Sequence, residues 1–144
     1  MKKGITLKNE KKIERKKRQN VNVDIESLKI LRTVGDKDAF YFYEAVGKPT
    51  GEVAKNLSDF LDRVKSAKAE SLVFHLQRRD FQNWVQKILG DSKLARKLGS
   101  ISPANSEDVR TNIYRIVESR IKELRESSAE IHVNENMVVL VPSF

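Results

Sequence analysis

The chain has 144 residues, a formal net charge of +8 and no cysteine. This length suits one domain with tails, and the lack of cysteine excludes disulfides, thiolate metal sites and thiol nucleophiles. No apolar run approaches the ~20 residues of a membrane-spanning helix, and the basic N-terminus is not followed by the apolar segment of a secretory signal. We therefore expect a cytoplasmic protein without a membrane segment.

The positive charge is concentrated in residues 1–20. This segment has nine Lys and Arg residues against two Glu, a net charge of +7, whereas the other 124 residues have 19 basic and 18 acidic side chains, a net charge of +1. Because it has few large apolar side chains, we predict a disordered basic arm that lies on phosphates; the alternative is a solubilising tail. The arm residues predicted to bind nucleic acid are Lys2, Lys3, Lys8, Lys11, Lys12, Arg15, Lys16, Lys17 and Arg18.

An aromatic segment, Phe40–Tyr43, leaves two structures open. As a strand it would place Phe40 and Phe42 on one face; as a helix it would be apolar nearly all round and therefore buried. We favour the helix, because an aspartate precedes the segment and Gly47 follows it. We predict a turn-rich loop at Gly47–Gly51, and its lysine is misplaced for a phosphate-binding loop.

The chain is organised around Phe74–Asp91. Asp80 is placed to cap a helix, Gly90 to end it, and Asp91 to cap the next helix. Four apolar residues recur at helical spacing and predict a buried stripe: Phe81, Trp84, Val85 and Ile88.

Three basic residues lie at the entry to this helix. Arg78 and Arg79 favour a phosphate there, and the alternative is that one of them pairs with Asp80 or Glu70. We expect His75 to be half-buried and hydrogen-bonded locally. A triad of His75, Asp80 and a serine lacks a nucleophile-elbow sequence, and the histidines lack metal-site spacing. We therefore expect no catalytic residues, no metal and no cofactor.

The longest predicted helix runs from about Ser106 to Ser127, with an apolar stripe at Val109, Ile113, Ile116, Val117, Ile121 and Leu124. Beyond it, two β-rich runs flank Asn134–Asn136 and predict a hairpin. Because a lone hairpin is marginally stable, we expect it to pair with a second copy in a homodimer. The predicted dimerisation residues are Ile131, Val133, Met137, Val138, Val139, Leu140 and Val141.

The expected fold is mainly α: a compact domain of five or six helices at residues 21–127, after a basic arm at 1–20 and before a β appendage at 128–144. Several of these motifs, taken together, resemble a small helical domain family of archaea and bacteria: Phe40–Tyr43, Gly47–Gly51, Leu57–Phe60, Phe74–Trp84 and Leu89–Asp91. The resemblance covers about residues 39–98. It implies no chemistry, since the family is known as one of unknown function, sometimes found with carbohydrate-metabolism proteins.

The charge pattern favours a non-catalytic binding protein for a large anionic partner. A +7 arm on a nearly neutral body is typical of chains that sit on ribosomal RNA, whereas a DNA-binding body would more often be basic itself. We therefore expect a homodimeric ribosome-associated factor that links or silences subunits in an archaeon. The alternatives are an adaptor or regulatory subunit of a carbohydrate-metabolism enzyme and a small nucleoid protein that binds DNA.

Overall fold

A computed structural model describes residues 25–103 and 106–140, with side chains described for 25–103 and 108–128. The chain divides into two compact units. One is Lys29–Glu123, and the other takes in the described residues on either side of it, 25–28 and 124–140. The two clefts and the buried ion pair described below lie in the first unit.

The described residues are mainly helical, with one two-stranded antiparallel sheet. Residues 25–31 are helical (α1), and a short 3-10 turn follows at Asp36–Asp38. The remaining elements are β1 (Phe40–Ala45), β2 (Lys48–Ala54), α2 (Leu57–Ser66), α3 (Ala69–Gln77), α4 (Asp80–Asn83), a π-helical segment (Trp84–Leu89), α5 (Ser92–Gly99) and α6 (Ser106–Leu140). The mainly α fold is therefore confirmed.

The helix favoured for the aromatic segment is wrong, because Phe40–Ala45 forms strand β1. Phe40 and Phe42 are buried while Tyr41 between them is 45% exposed, which is the period-two alternation of a strand with one face covered. The aspartate expected to cap a helix belongs instead to the 3-10 turn. Aromatic residues fit a half-buried pleated surface well, and here that preference decides the structure.

The turn-rich loop predicted at Gly47–Gly51 is also mostly a strand. β2 begins at Lys48, and Pro49 lies opposite Tyr43 of β1. Gly47 forms the tight connection between the strands with a φ of 76°, a left-handed conformation that glycine adopts without steric cost. The hairpin register is irregular on either side of Tyr43.

The centre of the core is a cluster of aromatic rings contributed by the hairpin and three helical segments. Phe40 and Phe42 lie edge to face, with ring centroids 4.9 Å apart, and Phe60 of α2 lies edge to face with Phe81 of α4 at 5.1 Å. Trp84 stacks on Phe60 at 5.8 Å. Each of these large side chains removes much apolar surface from water, so the cluster fixes the hairpin against the helices.

One of the two helix caps predicted in the organising segment is found, because the Asp91 side chain accepts a hydrogen bond from the Leu94 N–H at the start of α5. At the start of α2, the side chain of Asn56 accepts a hydrogen bond from the Asp59 N–H. The cap predicted for Asp80 is wrong, because no side chain caps α4. The Asp80 carboxylate is occupied by side chains of the preceding segment, as described below.

The helix after Asp80 widens into a π-helical segment at Trp84–Leu89, ended by Gly90 with a φ of 89°. The Gly90 N–H donates to the Val85 carbonyl, five residues earlier, at 2.9 Å. The predicted stripe is confirmed at its first three positions, which are buried, but Ile88 is only partly buried and Leu89 is fully buried. The wider turn moves the inward-facing position one residue along the chain.

Helix α6 carries the predicted stripe. The stripe residues are buried apart from Ile116, which is partly buried; the buried members are Val109, Ile113, Val117, Ile121 and Leu124. Each of the first four lies one helical turn from the next, so they form a continuous apolar line along the helix.

The predicted C-terminal β-hairpin is wrong. Helix α6 continues through Asn134–Asn136 to Leu140, far beyond the predicted end at Ser127. The sequence between Pro103 and Pro142 contains no glycine or proline, so nothing in that stretch breaks the helix, and adding residues to an existing helix is far easier than nucleating new structure. The β appendage at 128–144 is therefore helical as far as residue 140, and its last four residues lie outside the described residues.

Candidate functional site

Helix α3 places two side chains on the backbone of one residue of strand β1, Tyr43. Ser71 and His75 lie one turn apart on α3 and therefore project from the same face. The Ser71 hydroxyl donates to the Tyr43 carbonyl at 2.8 Å, and the Tyr43 N–H donates to His75 Nε2 at 2.8 Å. Both backbone groups of Tyr43 are thus bonded to one helix. We call this arrangement the Tyr43 clamp.

The clamp fixes the proton on His75. Since the Tyr43 N–H is a donor, Nε2 accepts and the proton must reside on Nδ1, which lies 2.9 Å from Asp80 Oδ2. Burial lowers the pKa of His75, and the hydrogen bond and charge of Asp80 oppose that effect only in part. His75 is therefore a neutral side chain with a single defined tautomer.

This geometry decides how the Ser71, His75 and Asp80 side chains can act. Serine, histidine and aspartate lie in a row, as in a hydrolytic triad, but the serine and the histidine both bind the Tyr43 backbone. Neither ring nitrogen of His75 is left to take a proton from a substrate. The prediction that His75 is hydrogen-bonded is confirmed, although the residue is buried rather than half-buried, at 3% exposure.

A cleft of about 440 Å³ opens beside the clamp, lined in part by Tyr43, Phe74, His75, Arg78 and Asp80. Arg78 Nε lies 3.3 Å from Asp80 Oδ2, and its guanidinium lies over the Phe74 ring at 5.0 Å. The alternative prediction, that one of the two arginines pairs with Asp80, is therefore correct for Arg78. We call this cleft the histidine cleft. Its cationic side chain, Arg78, is already paired with the carboxylate of Asp80.

Arg79 is placed differently from its neighbour. Its φ is 64°, the only positive φ among the described non-glycine residues, and this left-handed conformation costs an ordinary residue about 1–2 kcal/mol. Its N–H donates to the Leu76 carbonyl at 3.1 Å and its carbonyl accepts from the Asn83 N–H at 3.0 Å, so the backbone has all the bonds of a normal helix-to-helix turn. The guanidinium makes no ion pair with any described residue.

A buried ion pair holds the far end of the segment. Asp91, whose side chain is 1% exposed, accepts two hydrogen bonds from Arg120 of α6, at 2.7 and 3.2 Å. Arg120 also lies 3.1 Å from Glu123, which bonds Lys93 of α5 at 2.7 Å. Asp91 therefore caps α5 and also joins α5 to α6. The sequence predicts the cap but not the ion pair with Arg120.

The remaining predicted site residues are placed as follows. All nine cationic residues of the basic arm lie outside the described residues, as does Val141. The other predicted dimerisation residues, from Ile131 to Leu140, lie on helix α6 in a part described by its backbone only. Within the described ranges no group of three or more His, Asp or Glu side chains is placed to hold a metal ion, and no helix is long and apolar enough to cross a bilayer.

Sequence reasoning missed two members of this site. Ser71 and Tyr43 are separated by 28 positions, and the helix expected at the aromatic segment would have bonded the Tyr43 backbone within itself. The available signal was the spacing of Ser71 and His75, two polar residues one turn apart among the apolar residues in the middle of the helix. That spacing indicates a paired hydrogen-bonding role but does not name the partner.

The described part of the chain is a mainly α-helical protein with one two-stranded antiparallel sheet, and helix α3 holds that sheet through Tyr43. Within that class, residues 76–140 match a family of unknown function, DUF5752. No curated protein and no solved structure matches the chain. The match runs from the end of α3 to the end of α6, so it includes Arg78 and Arg79 and leaves out the β-hairpin.

The resemblance inferred from motifs, at about residues 39–98, shares only residues 76–98 with this match. The aromatic segment and the glycine-rich turn lie outside it. The match supports an uncharacterised family and carries no link to archaea or to ribosomes.

Proposed function

We propose that this chain is a non-catalytic, cytoplasmic RNA-binding protein that associates with the ribosome through its basic arm. The observation that carries the proposal is the uneven charge: +7 in residues 1–20 against +1 in the rest of the chain. An arm of that charge gains affinity for a polyanion by releasing the counterions condensed on it, whatever the base sequence.

The described residues support a main role for the arm. Six of the 19 Lys and Arg residues of the body have a carboxylate oxygen within 4.0 Å: Lys55, Arg63, Lys68, Arg78, Lys93 and Arg120. Since the net charge of the body is only +1, the body adds little long-range attraction for phosphates. The arm is therefore the main source of electrostatic affinity.

The test compares the whole chain with a variant in which the nine Lys and Arg residues of the arm are replaced by Gln. Binding to a ribosomal RNA fragment is measured by fluorescence anisotropy at several salt concentrations. Each phosphate contact contributes about 0.7–0.9 to the slope of log K against log salt, so loss of all nine cations should lower the slope by up to about 6–8 units. A second variant with the arm residues in scrambled order keeps the charge and should bind like the wild type.

Sedimentation of a lysate through a sucrose gradient tests the ribosomal part of the proposal. Migration with a ribosomal subunit that is lost in the Gln-substituted variant supports it. Free migration of the wild-type chain at low salt contradicts the ribosomal association. An unchanged affinity and salt slope in the Gln-substituted variant contradicts the role of the arm.

A further inference from the structure

A second cleft, of about 530 Å³, lies between α4 with its π-helical extension and α5. Its lining is largely polar and includes Arg79, Gln82, Asn83, Gln86 and Arg96. Unlike the histidine cleft, this arginine cleft has two cations without a carboxylate partner, because neither Arg79 nor Arg96 forms an ion pair in the described part of the chain.

The identity of residue 79 indicates that its side chain serves something other than the fold. The left-handed turn at this position is the one that glycine or asparagine makes most readily, and the bonds that stabilise it involve only backbone atoms. Glycine would therefore satisfy the fold with less strain than arginine. An arginine kept in a strained conformation at the mouth of a cleft points to a ligand for its guanidinium.

Gln82 supplies a second and independent observation. Its side chain lines the same cleft and is 7% exposed, and its Oε1 is buried without a hydrogen-bond partner in the described residues. A buried acceptor without a donor is costly, so a hydroxyl or an N–H group that bonds Oε1 would be stabilised there. Since a terminal amide rotates broadly about its last torsion, Oε1 can turn to meet a donor that enters the cleft.

We propose that the arginine cleft binds a phosphate attached to a hydroxyl-bearing sugar, as found along an RNA strand. Arg79 and Arg96 bind the phosphate oxygens, since guanidinium groups match phosphate geometry, and Gln82 Oε1 accepts a hydrogen bond from the neighbouring sugar hydroxyl. In RNA that group is the 2′-hydroxyl, which DNA lacks. The choice of RNA as the source of this chemistry rests on the proposed function; a free sugar phosphate presents the same groups.

The experiment uses full-length protein and labelled single-stranded RNA and DNA of the same sequence. Arg79→Gly and Arg96→Gln are each expected to weaken RNA binding about tenfold and to lower the salt slope by about 0.7. Arg115→Gln is the matched control, because it removes one exposed positive charge outside the cleft. If both cleft variants bind RNA as the control does, the inference is overturned.

Two further measurements separate the roles of the cleft residues from simple unfolding. Arg79→Gly should raise the midpoint of thermal unfolding by roughly 3–6 °C, because it relieves backbone strain, while it weakens binding. Gln82→Met keeps the side-chain volume and removes the acceptor, so it should reduce the preference for RNA over DNA without lowering the melting temperature. An unchanged preference in Gln82→Met overturns the role of Gln82.

The outcomes distinguish failure of this inference from failure of the proposed function. Loss of RNA affinity in the Gln-substituted arm but not in Arg79→Gly leaves the proposed function standing and overturns the cleft. In the opposite case the wild-type chain does not bind RNA, and the proposed function fails. If ribose 5-phosphate nevertheless shifts the amide NMR signals of α5, and Arg79→Gly abolishes that shift, the cleft is a sugar-phosphate site. Absence of both responses overturns both.

Discussion

Replacing His75 with Phe tests the Tyr43 clamp directly. Phe keeps an aromatic ring against Phe40, whose centroid lies 4.9 Å from that of His75, but it removes the acceptor for the Tyr43 N–H and the donor to Asp80. A donor left without a partner costs about 1–3 kcal/mol. The loss at Asp80 is smaller, because this carboxylate keeps Arg78 and is partly exposed to water. We expect the free energy of unfolding to fall by about 2–4 kcal/mol.

The same variant should change how stability depends on pH. Burial holds the pKa of His75 in the folded chain below the ordinary value of 6.5. Between those two pKa values the unfolded chain binds a proton that the folded chain does not, so the free energy of unfolding rises with pH. The contribution of His75 is therefore complete above pH 6.5 and is lost as the pH falls from 6.5 towards the folded-state pKa.

Urea unfolding followed by Trp84 fluorescence, from about pH 8 to about pH 5, measures both effects. The wild type should lose stability below pH 6.5, and the Phe variant should lose the part of that dependence that comes from His75. His132→Gln is the control for the second histidine and should leave the His75 contribution in place. A Phe variant that loses less than about 1 kcal/mol, or keeps the whole wild-type dependence on pH, would refute the clamp.

Trp84→Ala should lower the free energy of unfolding by about 3–5 kcal/mol, because Trp84 is buried and its Nε1–H donates to the Asp38 carbonyl at 2.8 Å; a melting curve like that of the wild type would contradict this. Asp91→Ala should cost about 3–5 kcal/mol by leaving Arg120 without its main partner, and Asp91→Ala with Arg120→Met should recover part of the loss in chemical denaturation; no recovery would show that the cap at α5 dominates. The homodimer remains a prediction, although strand pairing at the C-terminus no longer accounts for it, and light scattering that finds a monomer at micromolar concentration would refute it.

The parts of the fold that the sequence predicts correctly depend on short-range signals. The stripe of α6 repeats at helical spacing from Val109 to Leu124, and the predicted cap at Asp91 bonds an N–H only three residues away. Asp80 has the same capping sequence signal, but its carboxylate is taken by His75 and Arg78. Competition of this kind depends on how the chain folds back, so a local pattern does not reveal it.

Two predictions of local structure are wrong for different reasons. The helix expected at the aromatic segment depends on the flanking aspartate and Gly47, whereas the strand expected at Met137–Val141 depends on the apolar composition of that run. Burial on one side only makes Phe40–Ala45 a strand, and continuation of an unbroken helix overrides the β preference up to Leu140. The alternation of Phe and Tyr in the first segment and the lack of Gly and Pro before the second predict the observed structures better.

The Tyr43 clamp has a consequence for the outer edge of the β-hairpin. A strand edge exposes unpaired N–H and C=O groups, which can recruit a strand from another molecule and begin aggregation. At Tyr43, near the middle of β1, both groups are already bonded to Ser71 and His75. Helix α3 therefore takes the place of a third strand at that point, and an incoming chain finds neither a donor nor an acceptor there. Loss of His75 would reopen part of this edge, so its variants should be tested for self-association as well as for stability.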